Sequence, residues 1–110
     1  MSIKIFKQEE GIAREISESY SVLNLVTAKD SDKLSVAISI AKDHKEVTKT
    51  TSDRIYFVLE GEIQANNLVA KEGEVVFVPA NTEYEFKGAF KAVLINSPPF
   101  RKTDEKISKL

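Results

Sequence analysis

The sequence predicts an all-β fold, a sandwich or barrel of short strands. Three observations predict it. Apolar residues favour a period of two over 3.6, most plainly where Leu34, Val36, Ile38 and Ile40 alternate with Ser35, Ala37, Ser39 and Ala41. Turn formers follow one another at short intervals from residue 61 on: Gly61, Asn66-Asn67, Gly73, Pro79 and Gly88. No stretch sustains a helical period, so the buried face of each strand must meet another sheet.

Taken in chain order, Ser2 to Phe6 reads as a strand, whereas Ile12 to Ile16 reads equally as one helical turn or a strand. Tyr20 to Thr27 and Leu34 to Ala41 are strands by β-branched and aromatic content. The polar turn Asp43-His44-Lys45-Glu46 separates them from strands at Glu46 to Thr50 and Arg54 to Leu59. Glu60-Gly61 suits a hairpin leading into Glu62 to Ala65, and Asn66-Asn67 suits the next because Asn tolerates left-handed φ. Gly73 permits a tight turn into Val75 to Val78, which Pro79 ends because it has no amide donor. Glu83 to Phe86 and Phe90 to Asn96 complete the set. The chain is expected to be a single domain, residues 1–110, with a core barrel over about 18–97. Residues 98–110 form a polar C-terminal tail, in which Ile107 and Leu110 either dock a last helical turn or fray.

Composition excludes several function classes. Sixteen Lys plus Arg against 17 Asp plus Glu leave a net charge of −1, and no basic cluster exceeds Arg101-Lys102, so there is no field to hold a nucleic acid. The absence of cysteine removes disulfides, thiolate metal sites and thiol nucleophiles, and a single histidine argues against imidazole-rich metal sites. Charges every few residues in Met1-Ser2-Ile3-Lys4-Ile5-Phe6-Lys7 fit neither a signal peptide nor a membrane span, so a cytoplasmic protein without membrane partners is expected.

Two spacings carry chemistry. Arg54 stands seven residues before Gly61 in Arg54-Ile55-Tyr56-Phe57-Val58-Leu59-Glu60-Gly61, and Gly73 stands six before Pro79, with Asn81 and Tyr84 beyond it. Over Thr48 to Phe86 this frame resembles the cupins, small jelly-roll barrels (double-stranded β-helices). Val58-Leu59-Glu60-Gly61-Glu62 is a very close match to their first motif. It is also similar to the metal-free cupins of ethanolamine-utilisation operons around that hairpin and the second motif. The resemblance implies a single-domain cupin and a homodimer, with exchange of a terminal strand such as Ile3-Lys4-Ile5-Phe6.

Cupins hold a divalent metal at positions that here read Thr48, Thr50, Arg54 and Tyr84. Neutral hydroxyls, a permanent cation and a phenol with pKa near 10 make a poor ligand set, so no metal and no other cofactor is expected. His44 falls in a polar turn and reads as a solvated residue. Strand alternation sends Arg54, Tyr56 and Val58 inward, with Tyr84, Phe86, Thr48 and Thr50 around them. A guanidinium in that interior needs a partner. It is a neighbouring glutamate such as Glu46, Glu83 or Glu85, the water at the rim if Arg54 lies there as a merely structural residue, or the carboxylate or phosphate of a ligand held by the planar fork.

The expected function is therefore metal-independent binding of a small anionic molecule, with Arg54, Tyr56, Thr48, Thr50, Tyr84 and Phe86 as ligand-binding residues. An alternative is a metal-independent isomerase or epimerase acting on a carbohydrate or a keto or enol acid. Tyr84 or Glu46 would then be the proton carrier, given a pKa shifted towards neutrality. A purely structural, assembly-forming dimer is the third reading.

Overall fold

The structure is a computed structural model and describes residues 2–109. Eight strands form one antiparallel sheet: β1 (Ile12–Ser17), β2 (Tyr20–Val26), β3 (Ser35–Thr50), β4 (Asp53–Ala65), β5 (Leu68–Lys71), β6 (Val75–Val78), β7 (Tyr84–Ser97) and β8 (Glu105–Lys109). The hydrogen-bonded order is β1-β2-β3-β7-β4-β5, with β6 beside β4 and β8 beside β3. The long strands β3, β4 and β7 bend in the middle and belong to both halves of the sheet. One half carries β1, β2 and β6, the other β5 and β8. The halves close on a single core that takes Tyr20, Val22 and Ala37 from one and Ile63, Ala70 and Phe86 from the other. This is the expected all-β jelly-roll architecture.

The bends explain where the strand pattern departs from expectation. Glu60-Gly61 does not close a hairpin; β4 runs through it, with a register shift between Val58 and Glu60. Gly61 has φ of +77°, and a Cβ there would meet the Ala89 carbonyl oxygen at 2.1 Å. Gly88, which joins the two strands expected at Glu83 to Phe86 and Phe90 to Asn96 into one, sits at φ of +137° with its Cβ position 2.4 Å from the Glu62 oxygen. Two backbones thus touch at the corner of the fold, which only glycine allows. On β3 the same bend is made by Asp43, at φ of +54°, between Ala41 and His44.

The ends of the chain need further correction. Ile12–Ser17 is a strand, so the boundary at about residue 18 leaves out β1. Ser2 to Phe6 forms no strand and is exposed. The tail is neither helical nor frayed: after Pro98 a 3-10 turn at Lys102–Asp104 leads into β8, which pairs Thr50 with Glu105 and Thr48 with Ile107. Leu110 lies outside the described residues. Asn66-Asn67 does turn β4 into β5, with Asn66 at φ of +54°. No helix among the described residues is long and apolar enough to cross a membrane.

Candidate functional site

Alternation on β4 turns Arg54, Tyr56 and Val58 inward, β7 contributes Tyr84 and Phe86, and β3 contributes Glu46, Thr48 and Thr50. All are buried, as the sequence pattern requires. Arg54 is the hub. Its Nε donates to Asn96 Oδ1 at 2.8 Å, and its Nη1 donates to Tyr84 Oη at 3.1 Å and Tyr56 Oη at 3.4 Å. The two phenols share a hydrogen bond of 2.6 Å.

The carboxylate that answers the guanidinium is Glu105, at 3.1 Å from Nη1, rather than Glu46, Glu83 or Glu85. The Thr48 hydroxyl shares its proton between the same Glu105 oxygen at 3.4 Å and the Lys106 carbonyl at 3.3 Å. Thr50 is buried on the same face of β3, and its hydroxyl accepts the Ser52 amide at 2.8 Å. Phe86 packs against Tyr56 and Tyr84, with ring centroids 5.9 Å from each, and forms the apolar side of the site.

A second polar group lies behind Phe86. His44 is 3% exposed, not solvated: its ring stacks on Tyr20 at 4.8 Å. Its Nε2 lies 2.9 Å from Glu46 Oε1, and its Nδ1 lies 2.6 Å from Ser19 Oγ. Both contacts are satisfied when Nε2 carries the proton, donating to the carboxylate while Nδ1 accepts from the serine. Tyr20 Oη in turn shares a hydrogen bond with Ser39 Oγ. No buried side-chain nitrogen or oxygen among the described residues lacks a partner.

Burial governs the electrostatics. It pulls the Arg54 guanidinium down, but the Tyr56 and Tyr84 phenols and Glu105 outweigh it and hold the group well above its ordinary value. Burial pushes Tyr56, Tyr84 and Tyr20 up, so all three stay protonated. Tyr84 is thereby fitted to donate a hydrogen bond, and its shift is opposite to the one a base needs. Burial also raises Glu46 above the ordinary carboxylate range, against the pull of its His44 hydrogen bond.

The donor set does not fit a divalent cation. Arg54 fills the middle of it with positive charge, and the two buried carboxylates are already engaged, Glu105 by Arg54 and Glu46 by His44. No cluster of three His, Asp or Glu side chains suited to a metal occurs among the described residues.

Sequence reasoning missed Glu105, Asn96, Tyr20, Ser19 and the inward turn of His44. Tyr20 and Asn96 lay in assigned strands without a polar motif to single them out. Glu105 had only the weak signal of a charged residue two before Ile107.

A bent jelly roll with a polar interior defines the class: the chain has the cupin fold. The solved structures it resembles agree. A Streptomyces PAC13 Tyr-to-Phe variant with uridine superposes with a TM-score of 0.83 at 20% identity, covering 100% of this chain and 93% of that one. KdgF from Halomonas gives 0.75 at 11% identity, covering 88% and 96%. The polyketide cyclase RemF from Streptomyces resistomycificus gives 0.74 at 14% identity, covering 99% and 87%. Within the cupins, residues 3–97 match the family of the ethanolamine utilisation protein EutQ, and the chain belongs to that family. No match was found among curated protein sequences.

Proposed function

We propose that this chain binds a small anionic molecule in the barrel interior without a metal, with Arg54 as anchor and the Tyr56 and Tyr84 hydroxyls beside it. One observation carries the reading: a buried guanidinium stands where cupins place a metal ligand, and it is already engaged with a carboxylate and two phenols. Such a constellation is costly to build for stability alone, because apolar side chains of the same volume serve as well or better. Neighbours of the same fold lend support, since PAC13 structures contain uridine, a small polar molecule.

A second reading, an isomerase or epimerase, is favoured by Glu46 alone. A carboxylate raised by burial is suited to take a proton from carbon next to a carbonyl, leaving an enolate whose charge Arg54 offsets, and to return that proton on the same face to the neighbouring carbon, which is the isomerase form of this reading.

Native mass spectrometry of the purified protein tests the binding reading, followed by thermal shifts with acetate, inorganic phosphate and uridine. Retained anionic mass, or saturable stabilisation by an anion that Arg54→Gln abolishes, is expected. No retained mass and no stabilisation by any of the three would overturn it. For the second reading, Glu46→Gln should keep binding and lose exchange of the ligand's acidic C–H proton with deuterated water.

A further inference from the structure

We propose that Glu105 stands in for the acidic group of the ligand, and that β8 is a displaceable strand which must leave β3 before a carboxylate can reach Arg54. This rests on the anion-binding reading above and adds the ligand's charged group and its route.

The cavity beside Arg54 has no room for a ligand as it stands. Lined also by Tyr20, Leu94, Asn96, Phe100 and Glu105, it holds about 20 Å³, enough for roughly one water. Small-molecule sites are on the order of 300 Å³ or more. Something must move, and Glu105 lines the cavity from a short edge strand. As an edge strand, β8 pairs only with β3, and its register shifts between Val47 and Thr48. Lys106 and Ser108 point to solvent, and Ile107 is only half-buried. Glu105 is the described β8 side chain that reaches Arg54, while the ladder to β3 and the Thr48 hydroxyl, 3.3 Å from the Lys106 carbonyl, hold the strand's backbone.

The residues just before it are better fixed. Ser52 Oγ donates to the Pro98 carbonyl at 2.8 Å, the Phe100 amide donates to Ser35 Oγ at 2.8 Å, and the Arg14 guanidinium lies 5.1 Å from the centre of the Phe100 ring. Between this anchor and β8 run residues 101–104; Arg101, Lys102 and Thr103 are exposed and place the hinge, while the carbonyl of half-buried Asp104 accepts the Thr51 amide at 3.2 Å.

The group that replaces Glu105 is set by what the strand leaves behind. Arg54 Nε is committed to Asn96, while Nη1 and the Thr48 hydroxyl converge on one oxygen of Glu105. One cationic nitrogen facing one oxygen, with a single shared hydroxyl beside it, matches a singly charged planar carboxylate better than a phosphate, whose three oxygens each call for donors.

Two measurements on the full chain test this. In the wild type, amide hydrogen exchange should be about 100-fold faster along Lys106–Lys109 than in the β3–β7 ladder. Equal protection would overturn the displaceable strand, whatever binds. In Glu105→Ala, acetate is the severed part of the side chain. It should raise the melting temperature saturably where equal chloride does not, and adding Arg54→Gln should abolish the effect. Stabilisation by phosphate but not acetate would overturn the carboxylate assignment while leaving the anion-binding reading intact. Stabilisation by neither would sink both. Should Glu105→Ala fail to fold, Glu105→Gln decides: β8 amides must exchange faster than in the wild type, and unchanged exchange would overturn the role of Glu105 in holding the strand.

Discussion

The Arg54 guanidinium and the Glu105 carboxylate meet at 3.1 Å across the barrel, one from β4 and one from the C-terminal strand, with side chains 3% and 7% exposed. Neither charge has water to fall back on, so removing one strands the other. Arg54→Met should destabilise the protein by about 3–5 kcal/mol, and Glu105→Gln added to it should recover part of that loss. Urea denaturation of the two single variants and the double variant measures the coupling; additive losses would show that the pair is not a unit.

Glu46 gives stability a pH signature. Burial raises it above its ordinary value of 4.5, so the folded chain holds a proton that the unfolded chain releases first. Below about 4.5 both states are protonated and the contribution is complete. As pH rises through the raised folded value it is lost, because the unfolded state gains by ionising earlier. The stability of the wild type relative to Glu46→Gln should therefore fall with rising pH across that window and then level off. Urea unfolding of both proteins from acid to neutral pH reads this, and a constant difference would refute the shift.

The same region shows what was legible in the sequence. Period-two alternation correctly sent Arg54, Tyr56, Val58, Tyr84, Phe86, Thr48 and Thr50 inward, because each lies in an unbroken stretch of strand. His44 escaped because the bulge at Asp43 inverts the parity of β3. Before it Ser35, Ala37, Ser39 and Ala41 face inward; after it His44, Glu46, Thr48 and Thr50 do. A bulge made by aspartate has no fixed sequence mark, whereas the one at Gly61 is at least flagged by its glycine. Glu105 was illegible for another reason, since its partnership with Arg54 joins distant parts of the chain through an edge strand too short to declare itself. His44→Ala, which leaves Glu46 buried without its donor, should cost about 3 kcal/mol by urea denaturation. A loss under about 0.5 kcal/mol would return His44 to the status of a surface residue.

Gly61 and Gly88 separate two kinds of glycine. At both, an added Cβ meets backbone oxygen, at 2.1 and 2.4 Å, and the φ angles already disfavour L side chains. Alanine at either position should lower the melting temperature sharply or prevent folding. Gly73, also at positive φ but with nothing within 4 Å, should lose only about 1 kcal/mol on the same change. Differential scanning calorimetry of the three alanine variants tests the contrast; similar losses at all three would mean that φ, not the corner contact, sets the cost.

The expected homodimer acquires a surface. Cross-strand register lines up two apolar rows on the outside of the sheet: Leu23, Ile38, Val93, Phe57 and Val75, and beside it Val26, Val36, Ile95, Ile55 and Phe77. The face crosses β2, β3, β7, β4 and β6, roughly 19 Å at the usual strand spacing. No charge interrupts either row, and Phe77 is 58% exposed and Val75 54%. We propose this face as the seam of the expected homodimer, because a two-fold axis sets the same apolar rows against each other. Ile3 and Ile5, both largely exposed, belong to the N-terminal segment whose exchange the cupin resemblance implies. Phe57→Glu with Phe77→Glu should then yield monomer by size-exclusion light scattering with the fold retained by circular dichroism. Deletion of residues 1–7 should weaken the dimer. A dimer unaffected by the paired glutamates would place its interface elsewhere on the barrel.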